Sequence, residues 1–212
     1  MTKVINASSG EMCSIGLPAW LADRFDLPTE TERFTLGGVE VCGGTGTVRN
    51  EHGRRWVVAG VDIACEGMDA SQLLDVTRRS MGWLRDALRV SDTDHPVRIW
   101  NFLPRIHEEV GGLLALTQEG VDMYRAFNMG RYLGFCDWFG GSGQFGRLLP
   151  TATGVGHSGG VLRMIALGCS APGEAVDNPR QTPAFAYSTR FGPRPPCFAR
   201  ATCSLLPDGP HL

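Results

Sequence analysis

Residues 55–103, RWVVAGVDIACEGMDASQLLDVTRRSMGWLRDALRVSDTDHPVRIWNFL, carry the pattern that decides the fold. The first ten, Arg55 to Ala64, are rich in β-branched and aromatic residues and read as a central strand. Asp69 then fits an N-cap, and Gln72 stands at the N3 position that completes a capping box. Beyond the cap, Leu73, Thr77, Met81, Leu84 and Leu88 recur at helical spacing, which gives one apolar stripe for packing on a sheet. Ser91 to His95 is a polar loop, and Pro96 opens a second strand from Val97 to Leu103. The stretch is a strand–helix–strand unit.

Further along, the spacing predicts a second helix from Gln118 to about Phe139. One face holds Met123, Phe127, Gly130, Gly134 and Trp138, and its two glycines permit the close approach of another element. A neighbouring stripe holds Tyr124, Asn128, Arg131 and Phe135, which lie within about 60° of each other on the helical wheel. Phenol, amide and guanidinium are costly to bury unpaired. The stripe is therefore either a satisfied polar network or the wall of a polar ligand site. Gly140 to Gly146 reads as a mobile connector, because it follows a helix and lacks the Lys-Ser/Thr of a phosphate loop. Gly43 to Gly46 receives the same reading. Thr151–Gly156 and Val161–Cys169 are expected to form a hairpin through residues 157–160. Ala184–Ser188 and Cys197–Leu206 add two strands. After a turn at residues 207–209 only three residues remain, so the last hairpin reads as opened and not closed. Such an edge invites a second copy or a partner chain to complete the sheet.

At 212 residues the chain can hold one larger domain or two small ones. Its formal net charge of −2 argues against a nucleic-acid or anionic-membrane surface. No apolar run reaches the roughly 20 residues that cross a bilayer, and the N-terminus lacks the apolar core of a secretory signal. Seven cysteines without a CxxC pair or clustered histidines suit reduced thiols in the cytoplasm, not a zinc site or a disulfide framework.

The segment from Asn178 to Leu212 holds Arg180, Arg190, Arg194 and Arg200 with a single carboxylate side chain, Asp208. Guanidinium groups are forked donors matched to carboxylates, and Arg131 is a further candidate from the second helix. Prolines at 179, 183, 193, 195 and 196 stiffen the backbone around them, which lowers the entropy cost of holding a fork in place. Two readings stay open: a convergent anion pocket, or a solvated edge on which the prolines block strand pairing. Candidate acids are few. Glu108, Glu109 and Glu174 fall in loops and Asp137 ends a helix, so no carboxylate pair on one element suggests glycosidase chemistry. The histidines at 52, 95, 107, 157 and 211 are scattered in turns.

Several motifs together resemble one family. RIWNFLPRI (98–106), YRAFNMGR (124–131), APG (171–173), DNPRQ (177–181) and the run from Tyr187 through FGPRPPCFAR (191–200) are similar, in the same order, to segments of the chorismatases. The resemblance covers roughly residue 55 to the C-terminus. It implies an α+β fold, with mixed β-sheets, helices packed on one face and a chorismatase-like, RidA-like core. By chain order, residues 1–110 would form an N-terminal α+β subdomain. Residues 111–212 would form a C-terminal RidA-like subdomain, incomplete at its C-terminus.

The resemblance also implies removal of the enolpyruvyl side chain of chorismate as pyruvate, for secondary metabolism. The product would be a dihydroxycyclohexadiene carboxylate or a hydroxybenzoate. No metal or organic cofactor is implied; the partner is a small chorismate-like carboxylic acid. Carried over by position, Arg131, Arg180 and Arg200 would meet carboxylates or order the backbone. Gln181 and Tyr187 would be hydrogen-bonding walls, with Asn128 and Tyr124 from the helix stripe. This chain departs from the pattern at Phe191, where the family has Tyr, and at Asp177, where it has Glu. It also stops short of the strand and helix that carry the family's proton-donating glutamate. Glu174 and Asp177 are the nearest carboxylates by sequence. An accessory protein that binds chorismate or another cyclic acid, or a relative with altered chemistry on a different acid, fits the same residues.

Overall fold

The computed structural model describes residues 31–111, 121–188, 192–206 and 209–211. Its main sheet has seven strands. They are β1 (Glu32–Leu36), β2 (Val39–Thr45), β3 (Arg49–Glu51), β4 (Arg54–Ala64), β5 (His95–Pro104), β8 (Thr151–His157) and β9 (Val161–Cys169). The order is β1-β2-β4-β9-β5-β8, with β3 also paired to β4. β5 and β8 are parallel and the other pairs antiparallel, so the sheet is mixed. Between β5 and β8 come the small pair β6 (Glu109–Val110) and β7 (Val121–Asp122). A separate three-stranded sheet joins β10 (Glu174–Val176), β11 (Ala201–Leu206) and β12 (Gly209–His211).

Two long helices, α1 (Ala70–Val90) and α2 (Met123–Phe139), share a core with one face of the sheet. Along β4, Val57, Ala59, Val61 and Ile63 alternate toward that core, where they meet Leu73, Met81, Leu84, Leu88 and Phe127. Each large apolar side chain buried there contributes up to about 1.5–3 kcal/mol relative to exposure. On the opposite face Trp56 and Val58 of β4 gather with Val97, Ile165, Leu167 and Cys169. Asp62 and Arg163, cross-strand neighbours on that face, form a forked ion pair with two contacts of 2.5 Å. The expected capping box is present: Gln72 N–H donates to Asp69 Oδ1 at 2.8 Å and Gln72 Oε1 accepts from Asp69 N–H at 3.0 Å.

Several expectations are corrected. β8 and β9 are not a hairpin, because β5 lies between them, and β9 sits between β4 and β5. Burial explains the choice. From Leu162 to Cys169, β9 is buried on nearly every residue, whereas the glycine-bearing end of β8 is exposed from Gly154 onward. A strand apolar on both faces takes the interior, and the more polar one takes the edge. The main sheet draws its strands from both sides of residue 110.

Gly43 and Gly44 lie inside β2 and not in a loop. A Cβ on Gly43 would sit 2.8 Å from the Trp83 ring and 3.0 Å from Phe34, and those two rings stack at 5.3 Å. Ala184–Ala186 is a 3₁₀ turn, not a strand, because Pro183 sets φ at −54° and Ala186 N–H folds back to its carbonyl. The strand expected from Cys197 begins at Ala201, behind the prolines. The connector after α2 is ordered into a left-handed cap at Gly140, a 3₁₀ turn at Ser142–Gln144 and the short α3 (Phe145–Leu148). The last hairpin is closed: Ser204, Leu205 and Leu206 of β11 pair with His211, Pro210 and Gly209. β11 is therefore the central strand, and this small sheet ends on β10 and β12. Residues 118–120 of the predicted second helix lie outside the described residues, and α2 starts at Met123 behind an Asp122 cap.

α1 and α2 cross where both predicted glycines lie. A Cβ on Gly130 would collide with the Leu74 carbonyl and would lie 2.7 Å from Thr77 Cβ; one on Gly134 would lie 2.5 Å from Met81 Cβ. Gly82, on α1, has nothing within 4 Å. Gly130→Ala is expected to lose about 1–3 kcal/mol or more, because a backbone carbonyl cannot yield as a side chain can. Gly82→Ala is expected to gain about 0.5–1 kcal/mol. Urea unfolding of both variants measures this, and a Gly130→Ala protein as stable as Gly82→Ala contradicts the crossing.

Candidate functional site

The polar stripe of α2 is inside the protein. Arg131 is 2% exposed and Asn128 3%, and the two meet one helical turn apart. Arg131 Nη2 donates to Asn128 Oδ1 at 3.1 Å, and the guanidinium lies 5.3 Å from the Phe127 ring centroid. No carboxylate pairs with Arg131 among the described residues, and its buried Nε–H has no acceptor. Burial pulls the guanidinium below the usual arginine pKa. The ionisable side chains acting on it are Tyr124 and Cys197. Burial pushes the Cys197 thiol up to about 12, with Arg131 only partly opposing, so that thiol stays neutral and supplies no counter-charge.

Asn128 has a second partner. Its Nδ2 donates to the Arg194 carbonyl at 2.9 Å, and the Arg194 guanidinium lies 5.1 Å from the Tyr132 ring centroid. Helix and proline-rich segment are thus joined at one residue.

A second arginine is placed by the same segment. Arg200 Nη2 donates to the Tyr187 hydroxyl at 2.9 Å and to the Thr182 carbonyl at 3.1 Å, while its buried Nε has no partner among the described residues. Tyr187 closes the 3₁₀ turn after Pro183, which turns its ring back toward Arg200. The segment is docked on the sheet edge. Ala199 N–H donates to the Pro150 carbonyl and bridges Thr151 in parallel, and the Thr202 hydroxyl accepts from Thr151 N–H at 2.9 Å.

The remaining candidates are spread out. Arg180 and Gln181 are exposed on a turn in which Asn178 Oδ1 accepts from Arg180 N–H at 2.9 Å. Glu174 is exposed in β10; Asp177 is half-buried, with Oδ1 enclosed and without a partner. Tyr124 is half-buried against Gly154 of β8. Arg190 and Phe191 lie outside the described residues. Asp137 is occupied by Arg78, whose forked contacts of 2.6 and 3.0 Å hold its carboxyl below the usual range, and Glu108 pairs with Arg105 at 3.1 Å. No set of three His, Cys, Asp or Glu side chains is grouped as a metal site among the described residues. Among the described residues no helix is long and apolar enough to cross a membrane.

The structure thus joins Arg131 with Asn128, and Arg200 with Tyr187, and leaves Arg180 and Gln181 at the surface. Sequence reasoning missed Asn101, fully buried on β5 with Nδ2 donating to the Thr153 carbonyl at 2.7 Å. An amide amid the apolar run of a central strand was the available signal. The backbone role of Arg194 left none. A cleft of about 260 Å3 between Trp138, Phe139, Arg89 and Arg147 is lined by Pro172 and Gly173 of the APG motif but by none of the candidate site residues.

Comparison with known proteins agrees with the motif pattern. The chain is 32% identical over 160 residues to a 3-hydroxybenzoate synthase from Streptomyces hygroscopicus, covering 72% of this chain and 44% of that protein. It is 33% identical over 116 residues to a chorismatase from the same organism, covering 54% of this chain and 30% of that one. A solved chorismatase structure superposes with a TM-score of 0.58 and 26% identity, over 77% of this chain and 47% of that one. The chain spans less than half the length of each. Residues 32–168, more than half of the chain, match the family model described as chorismatase FkbO/Hyg5-like, N-terminal, and the chain belongs to that chorismatase family.

Proposed function

We propose that this chain binds chorismate, with Arg131 and Arg200 directed at its carboxylates, for removal of the enolpyruvyl side chain as pyruvate. The observation that carries this reading is Arg131, a guanidinium 2% exposed with no carboxylate paired to it among the described residues. An uncompensated buried cation costs several kcal/mol, and a carboxylate arriving at the free Nε–H would offset that cost. Arg200 repeats the arrangement, one donor engaged by Tyr187 and a buried Nε left over.

The chemistry proposed is enol-ether hydrolysis or its elimination variant. A proton adds to the terminal methylene carbon, and the resulting oxocarbenium carbon accepts water. Collapse of the hemiketal then releases pyruvate and leaves the ring oxygen as a hydroxyl. The alternative outcome keeps one ring oxygen and gives a hydroxybenzoate, as the name of the 3-hydroxybenzoate synthase relative suggests for that protein. Of the two nearest carboxylates, Asp177 is the enclosed one. Neither it nor Glu174 contacts Arg131 or Arg200 among the described hydrogen bonds and ion pairs, which favours a second reading in which this chain binds the acid without turning it over. Six described cysteines are free, and the proposed setting is the cytoplasm, where thiols stay reduced.

Chorismate is expected to raise the melting temperature of the purified chain, and pyruvate release coupled to lactate dehydrogenase measures turnover. A thermal shift without pyruvate selects the binding reading; no shift and no pyruvate removes both.

Arg131→Met removes the buried charge while keeping the volume. It is expected to abolish the chorismate response and to leave the ligand-free melting temperature unchanged or higher. A lower melting temperature with the response intact assigns the guanidinium to the fold. Tyr187→Phe, which removes the hydroxyl that accepts from Arg200, is expected to weaken chorismate binding by about 5–15-fold.

A further inference from the structure

We infer that Asn128 is a positioning residue: it aims Arg131 at the ligand carboxylate and makes that aim depend on the backbone of the proline-rich segment at Arg194. The inference rests on the chorismate-binding reading above and assigns a role within it.

Asn128 is 3% exposed, and both ends of its amide are engaged. Its Oδ1 accepts from Arg131 Nη2 at 3.1 Å and its Nδ2 donates to the Arg194 carbonyl at 2.9 Å. The two partners fix which way the amide faces, since a carbonyl oxygen can only accept and a guanidinium can only donate. A flipped amide would set oxygen against oxygen and hydrogen against hydrogen. Both ends of the Asn128 amide thus meet protein partners, which suits it to hold Arg131 in place.

The consequence falls on Arg131. One hydrogen of Nη2 is taken by Asn128, while Nη2 carries a second and the adjacent Nε–H has no acceptor among the described residues. Those two N–H groups form one edge of the guanidinium fork, the geometry that receives a carboxylate with two parallel hydrogen bonds. A neutral amide suits this role better than a carboxylate. It steers the fork and leaves its charge uncompensated, whereas an aspartate at the same place would be an internal counter-ion.

The segment that sets the amide is itself held along α2. The Arg194 guanidinium stacks on Tyr132, and Gly192 would bring a Cβ within 3.7 Å of Arg125 Cγ. Arg125, Asn128 and Tyr132 are three and four residues apart, one seam of the helix. Movement of residues 192–194 along that seam is expected to reach Arg131 through a single amide.

The experiment compares wild type, Asn128→Asp and Asn128→Ala by chorismate-dependent thermal shift. It also follows the Arg131 Nε–H resonance by ¹⁵N NMR, assigned by its loss in Arg131→Lys. Asn128→Asp is nearly isosteric and is expected to lower chorismate affinity by about a hundredfold or more, because the new carboxylate is an internal counter-ion that neutralises the guanidinium. In wild type the Nε–H resonance is expected to shift on saturation with chorismate; in Asn128→Ala that shift is expected to be lost. A folded Asn128→Asp protein that binds chorismate like wild type overturns the assignment. So does a wild-type Nε–H resonance unmoved by bound chorismate, a measurement that stands even where neither variant folds. A wild type with no response to chorismate removes the functional reading and this assignment with it; a responsive wild type beside a responsive Asn128→Asp removes the assignment alone.

Discussion

The close crossing of α2 over α1 at Gly130 and Gly134 is the contact on which the site depends. With no side chain at Gly130, the helix backbone settles against the Leu74 carbonyl, and the residues beside it on the helix are carried inside. Arg131 is one of them. A guanidinium would not choose that place: desolvation opposes it, and the compensations on hand are a neutral amide and the face of Phe127. The crossing therefore turns packing energy into a preset, unneutralised positive charge. That is the arrangement a carboxylate-binding site requires.

The proline-rich segment does the complementary work. Docked on the β8 edge through Ala199, Thr151 and Thr202, it presents Arg200 on one side and the Arg194 carbonyl on the other. Prolines at 193, 195 and 196 restrict the backbone before it folds, so less conformational entropy is lost when these groups are held. Both arginine arrangements consequently rest on one stretch of chain, and what disturbs its seat on the sheet disturbs both.

Much of the fold was legible residue by residue. The capping box at Asp69, the stripe of α1 and the strands β4 and β5 are local patterns, and the structure keeps them with boundaries changed by one or two residues. The close-approach glycines of α2 were legible too, because their spacing puts both on one helix face. Strand neighbours were not. Whether β9 follows β8 as a hairpin or inserts between β4 and β5 depends on both faces of β9 being apolar and on what covers each face. Gly43 misled for a similar reason: a glycine cluster resembles a loop until the Trp83 indole that needs the space is known. At the candidate site, sequence could not tell Arg131 and Arg200, each with an enclosed Nε, from Arg180 on an exposed turn.

The sequence by itself determined the elements, the arginine-rich and acid-poor inventory, and the family to which these motifs belong. Its information is carried at separations of two to four residues, the reach of strand alternation, helix periodicity and capping. Only the tertiary structure decided the strand order, the closure of β11 with β12 and the identity of the buried, unpaired guanidinium. Those outcomes turn on desolvation and pairing between groups far apart in the chain. Asn128 meets the Arg194 carbonyl across 66 residues, and no local pattern records that contact.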